Sequence, residues 1–237
     1  MRTPHYPSYK DLDAFIDVEG LKALDGFVRE RVTTRLGTTD DLKFDTGPFV
    51  QDPEAERIPG PRMVHLSRSL KPEDYYNLDV PDLWKLTEEA KEFAPLMDFI
   101  DTLPFAATGR MLIIYDESGR AVTAHRDHDS VDLCHEFIWF RTSLDKPFYM
   151  LDHQSGEKIY VASFAAWFDT VNQFHGADET GKLSFSIRVD GVFTDAFRKQ
   201  IPFPAVGKAA APAIWAQNHQ REGGGPVASR LPCDAAL

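Results

Sequence analysis

After Pro104, apolar and polar residues alternate in short runs bounded by turn residues, the period of half-buried strands. The runs lie near 109 to 116, 121 to 127, 134 to 142, 147 to 152, 157 to 162, 165 to 169, 172 to 176 and 183 to 193. The last is the clearest: in Leu183-Ser184-Phe185-Ser186-Ile187-Arg188-Val189-Asp190-Gly191-Val192-Phe193 the residues Ser184, Ser186, Arg188 and Asp190 share one face. Upstream the spacing changes. Leu12, Phe15, Ile16, Leu21, Leu24, Phe27, Val28 and Val32 suit one or two amphipathic helices between Tyr9 and Arg35, interrupted near Gly20. The Pro-rich stretch from Gly47 to Arg62 reads as loop. Val80-Pro81-Asp82 then opens a second helical segment, with Leu83, Trp84, Leu86, Ala90, Phe93, Leu96, Met97 and Ile100 as its apolar stripe.

Eight short strands at close spacing predict a mainly β fold, a jelly roll with α-helices packed on its outside. The 237 residues suit a single domain. Its parts would be a helical and loop region over 1–103 that buttresses the barrel, a jelly-roll core over 104–200, and a C-terminal extension over 201–237. Gly223-Gly224-Gly225 marks the last part of that extension as a disordered tail.

The chemistry concentrates in Ala124-His125-Arg126-Asp127-His128-Asp129. Residues two apart on a strand project to the same side, so His125 and Asp127 offer an imidazole and a carboxylate to one point. Asn172-Gln173-Phe174-His175-Gly176 reads as a strand end able to return a second imidazole there. Two neutral imidazoles and one carboxylate leave adjacent coordination positions open, the facial arrangement of non-haem iron(II) oxygenases. Arg188, on the strand that follows, suits a bidentate grip on a carboxylate. His128 confuses the ligand set, since His125-x-x-His128 is also present, but parity turns it the other way. His5, His65, His135, His153 and His219 read as ordinary core or surface histidines.

His-x-Asp, a distal His and then a strand Arg resembles the 2-oxoglutarate-dependent iron(II) dioxygenases, over roughly Gly109 to Phe193. The resemblance implies a double-stranded β-helix core. It implies His125, Asp127 and His175 as ligands of Fe(II), Arg188 as the anchor for the far carboxylate of 2-oxoglutarate, and O2 as the third partner. Tyr115 matches a position where the prolyl hydroxylase branch places a second contact to 2-oxoglutarate. Many members carry a serine two residues after the arginine, where this chain has Asp190. Either Asp190 points elsewhere or Ser186 takes that role. Halogenating relatives lack the iron-bound carboxylate, so Asp127 favours hydroxylation or a related oxidation.

Arg141, His128 and Trp167 are the candidates for substrate contacts, and a small polar metabolite such as an amino acid is the expected substrate. A peptide or protein side chain is the alternative within this chemistry. Outside it stands a non-oxidative metal cupin, either an isomerase or hydrolase, or a binding module, none of which needs a pocket-wall arginine at 188. A net charge of −11 argues against a nucleic-acid partner. No apolar window reaches the roughly 20 residues of a membrane span, and Met1 to Lys10 lacks the apolar core of a secretory signal. Two cysteines, Cys134 and Cys233, are too few for a disulfide framework, which fits a reducing, cytoplasmic setting. Oligomeric state is left open. The 17 Phe, 7 Tyr and 4 Trp suit any β core and so do not narrow the function.

Overall fold

The computed structural model describes residues 9–36, 42–43, 62–75, 77–78, 80–127, 136–152, 155–170 and 173–201. In chain order the elements are β1 (Tyr9–Asp11), α1 (Val18–Ala23), α2 (Asp25–Arg35), β2 (Leu42–Lys43), β3 (Arg62–His65), β4 (Ser67–Ser69), β5 (Trp84–Leu86), α3 (Glu89–Glu92) and α4 (Ala94–Ile100). There follow β6 (Phe105–Asp116), β7 (Val122–His125), β8 (Phe137–Phe140), β9 (Phe148–Leu151), β10 (Lys158–Tyr160), β11 (Ala165–Phe168), β12 (His175–Ala177), β13 (Ser184–Phe193) and α5 (Asp195–Arg198).

Two antiparallel sheets face each other in sequence logic as well as in space. The larger runs β1-β11-β8-β13-β6-β3-β2 and the smaller runs β10-β9-β12-β7. From β6 onward the chain alternates between them: β6 in the large sheet, β7 in the small, β8 in the large, β9 and β10 in the small, β11 in the large, β12 in the small, β13 in the large. That winding is the double-stranded β-helix, or jelly roll, expected from the eight alternating runs. A separate hairpin pairs β4 with β5.

Side-chain parity divides the large sheet into two faces. Arg188 pairs with Leu112 on one side and Trp139 on the other, so these three project together. Ile187 pairs with Ile113 and Phe140 and projects the opposite way. The second face carries the helices: the Phe140 ring lies 5.7 Å from that of Phe99 on α4. Val28, Val32, Phe93, Leu96 and Ile100 are buried with Met111, Ile113 and Val189 in the main core.

The N-terminal region differs from its sequence reading in three places. Tyr9–Asp11 is a strand, paired with β11 across most of the chain. Gly20 lies inside α1 and the interruption falls at Leu24. The reason is a cap: Asp17 Oδ1 accepts from the Gly20 N–H at 2.9 Å, and a Cβ on residue 20 would lie 2.3 Å from the Asp17 carboxylate. Val80-Pro81-Asp82 opens only a single 3-10 turn, followed by β5, and the helices start at Glu89. Trp84 therefore leaves the expected helical stripe and packs on Tyr75, with its indole N–H donating to Asn77 O at 2.9 Å. The stretch 44–61 and the tail 202–237 lie outside the described residues.

Candidate metal centre

His125 ends β7 and His175 opens β12, and the two are direct partners in the antiparallel ladder. Their ring centroids are 4.5 Å apart. Asp127 follows β7, its backbone N–H bonded to Thr170 O at 3.0 Å, which ties it to the chain just before β12. Gly176 permits this close pairing, because a Cβ there would lie 2.6 Å from Val122 O. His125, Asp127 and His175 thus form a cluster in which one ligand atom from each lies within 4.8 Å of the others.

The orientation of the rings identifies what the cluster can hold. His125 Nδ1 meets Thr123 O at 2.8 Å and His175 Nδ1 meets Gln173 O at 3.2 Å. A carbonyl only accepts, so each Nδ1 carries the hydrogen and each neutral ring presents the Nε2 lone pair. Both Nε2 atoms face the same carboxylate oxygen, Asp127 Oδ1, at 3.5 and 3.1 Å. Two lone pairs aimed at an anionic oxygen repel unless a cation sits among them. Ligand atoms at right angles about a divalent ion with bonds of roughly 2.1 Å are about 3 Å apart, which these distances match. The three residues fit a metal. Backbone carbonyls behind both rings act as the orienting partners such ligands have.

Proton affinities follow the same crowding. Burial opposes charging either ring; for His125 the contact with Asp127 outweighs it and raises the group, while for His175 burial prevails and lowers it. Burial would raise Asp127, but the two imidazoles and Arg188 hold its carboxyl well below the usual range.

Arg188 reaches the cluster from β13 in the opposite sheet. Its Nη1 donates to Asp127 Oδ2 at 2.9 Å, leaving Oδ1 for the metal position. Asp190 lies on the same face rather than pointing away, and its Oδ1 accepts from Arg188 Nε and Nη2 at 3.0 and 2.9 Å. Its Oδ2 accepts from Arg110 Nε at 3.0 Å. The Phe137 ring lies beneath the Arg188 guanidinium, 4.1 Å from its central carbon. Phe168 and Phe148 pack on His175 at 4.8 and 5.7 Å, and Trp139 stacks on Phe148 at 4.4 Å.

Other expected site residues fall differently. Tyr115 pairs with Phe185 and is one residue out of phase with Arg188, which places it on the opposite face of the sheet from Arg188. Ser186 shares the Arg188 face, opposite Ile114. Arg141 is spent on the backbone: it donates to Ser163 O, Lys146 O at 2.7 Å and Val161 O at 2.5 Å. Burial pulls it down to about 10. It fastens a turn through these carbonyls. Trp167 pairs with Lys10 and is out of phase with Phe168, which is the β11 aromatic that reaches His175. His128 lies outside the described residues.

His65, read from sequence as ordinary, is not. It pairs with Leu112, which places His65, Leu112 and Arg188 in one row across β3, β6 and β13. Both ring nitrogens are shielded from solvent and have no hydrogen-bond partner among the described residues, a condition that costs roughly 1–3 kcal/mol per group. Burial, then Arg110 and Arg68, lower its pKa to about 4. Between the ordinary histidine value and about 4 the unfolded chain takes up a proton that folded His65 refuses. Stability therefore falls as pH drops through that window, by on the order of 3 kcal/mol at its foot. Urea melts between pH 7 and 4 should show this slope in the wild type, reduced in His65→Leu.

No family model and no curated protein matches the chain. Among solved structures it is similar to a prolyl-4-hydroxylase from Pseudomonas putida, at 12% identity and a TM-score of 0.43 over 77% of this chain and 90% of that one. A prolyl hydroxylase from Trichoplax adhaerens, solved with a hypoxia inducible factor peptide fragment, is similar at 10% identity and a TM-score of 0.46, over 85% and 89%. An oxidoreductase of the 2OG-Fe(II) oxygenase family from Burkholderia pseudomallei is similar at 10% and 0.37, over 73% and 90%.

Proposed function

We propose that this chain is an iron(II)- and 2-oxoglutarate-dependent oxygenase that oxidises a C–H bond of a small polar metabolite such as an amino acid. The observation that carries the reading is the convergence of two Nε2 lone pairs and Asp127 Oδ1 at ligand spacing, with Arg188 directly behind the carboxylate. His125, Asp127 and His175 would hold the ion, and three protein ligands leave positions for cosubstrate and O2. Bound iron supplies oxygen activation coupled to the decarboxylation of 2-oxoglutarate to succinate and carbon dioxide, with one oxygen atom delivered to the substrate.

Charge supports the cosubstrate. Asp127 and Asp190 balance Arg110 and Arg188, so a divalent ion leaves the centre two units positive, which the dianion 2-oxoglutarate neutralises. Arg188 has five N–H donors, and its contacts with Asp127 and Asp190 use three of them. One hydrogen remains on each terminal nitrogen, the pair a carboxylate takes in a two-pronged grip. Asp190 and Phe137 fix the guanidinium plane, and Phe148 and Phe168 pack on the His175 imidazole, with Trp139 stacked on Phe148. A non-oxidative cupin has no use for such an arginine.

Purified protein, loaded anaerobically with Fe(II), given 2-oxoglutarate and then exposed to oxygen, should form succinate even without its substrate. The anaerobic complex should show a 2-oxoglutarate-dependent charge-transfer band. Absence of both overturns the reading in favour of a non-oxidative metal cupin.

A further inference from the structure

The row that carries Arg188 continues past the metal centre to His65, and the sheet at this end is assembled around polar groups. Arg110 projects from the same face of β6 as Leu112, one pleat along, and is held by Asp190 and by a hydrogen bond with Tyr75. The Tyr75 ring meets His65 edge-on at 6.4 Å. The segment carrying Tyr75 is anchored on β6 by the Arg110 N–H to Leu78 O bond at 2.9 Å, and a Cβ on Gly109 would lie 2.1 Å from that same carbonyl. The geometry here is fixed by backbone contacts on both sides.

Within this frame His65 is the exception. Native proteins pair buried polar groups, yet both nitrogens of its ring lack a partner among the described residues. The charges that act on it come from Arg110 and Arg68, both cationic. A neutral imidazole offers one N–H and one lone pair; a carboxylate takes the N–H, and the cations that act on His65, Arg110 and Arg68, favour a negatively charged acceptor there. His65 stands two strands from Arg188, roughly 10 Å at ordinary strand spacing, which is within the span of a small molecule reaching from the metal position.

We infer that His65 and Arg110, with Tyr75 holding Arg110 in place, form a subsite for the carboxylate of the substrate, so that the substrate is a small carboxylic acid such as a free amino acid and not an internal peptide segment. The word substrate rests on the oxygenase reading above; the carboxylate subsite does not.

Two measurements separate them. In metal-free protein labelled with 15N-histidine, the His65 ring signals are followed by NMR during titration with the common L-amino acids and with the corresponding amino acid amides. Shifts of His65 with at least one acid, absent with its amide, support the subsite whether or not the protein turns over 2-oxoglutarate. In the iron-loaded enzyme, the acid that shifts His65 should stimulate succinate formation. Its half-saturation concentration should rise at least tenfold in His65→Leu and partly recover in His65→Asn, whose amide keeps a donor and an acceptor. The 2-oxoglutarate charge-transfer band reports that the centre is assembled in each variant. No His65 shift with any acid, equal shifts with acid and amide, or an ordered water bonded to His65 that persists in the presence of the acids overturns the inference. A wild type that shows the NMR response but forms no succinate refutes the oxygenase reading and leaves the subsite standing.

Discussion

His175→Ala should lower affinity for a divalent ion at least about 100-fold and take succinate formation below detection. Loss of a group that only orients a ligand typically costs 10–100-fold, and His175 is a member of the candidate ligand set itself. Among the described residues the rings packed on it besides His125, itself in the cluster, are Phe148 and Phe168, which offer no ligand atom. The fold should survive, because β12 is held by β7 and β9 through backbone pairing that the substitution leaves in place. Anaerobic calorimetry with Fe(II), together with the charge-transfer band, provides the check. A variant that binds the ion within about threefold of wild type would remove His175 from the centre, and with it the facial arrangement.

What made that centre legible was parity together with strand order. His125 and Asp127 are two apart, and the alternating runs put His175 and Arg188 on the seventh and eighth strands of a winding that returns them to the same end. The period of two gives the pairing of 125 with 127; the placing of His175 and Arg188 beside it came from the resemblance to the dioxygenases. The same rule applied across strands puts Tyr115 on the face opposite Arg188. Which face a residue of β6 presents to the centre depends on its register with β13, and Tyr115 meets Phe185, not Ser186. Trp167 is likewise one residue out of phase with Phe168.

Long-range contacts explain the rest. Arg141 looked available because its acceptors, the carbonyls of Lys146, Val161 and Ser163, are backbone groups with no signature in side-chain pattern. β1 has three residues and is stabilised by pairing with β11, so nothing local announces it. His65 was indistinguishable from other histidines until β3 was placed beside β6. Asp190 was visible as a carboxylate where relatives have a hydroxyl. The meaning of that departure lay in Arg110, which supplies the second cation that a carboxylate, unlike a hydroxyl, can balance.

Asp190→Ala should therefore destabilise the protein by about 3–5 kcal/mol, the usual cost of removing one partner from a buried ionic network. For a domain of this size that is a fall in melting temperature on the order of 10 °C. Asp190 is fully buried and accepts from both Arg110 and Arg188. Without it Arg188 keeps Asp127 as its carboxylate, while Arg110 loses the carboxylate that pairs with it among the described residues. For Arg110 burial opposes the charge, and the pairing with Asp190 and Tyr75 outweighs it; without Asp190 most of that compensation is lost and the buried charge is left exposed to its full cost. Asp190→Asn, which keeps acceptors but removes the charge, should fall between wild type and Asp190→Ala. The decisive variant is Arg110→Met combined with Asp190→Ala, because it removes one charge of each sign. If the network is coupled as its geometry requires, the double variant should be more stable than Asp190→Ala alone, with an interaction energy of at least about 1 kcal/mol in urea melts. Additive losses would mean that Arg110 and Asp190 act independently. The same double variant frees Arg188 from the carboxylate that fixes its plane, so its affinity for 2-oxoglutarate should stay reduced even where stability returns. Stability and cosubstrate binding then part company in the double variant, which a purely structural role for Asp190 would not produce.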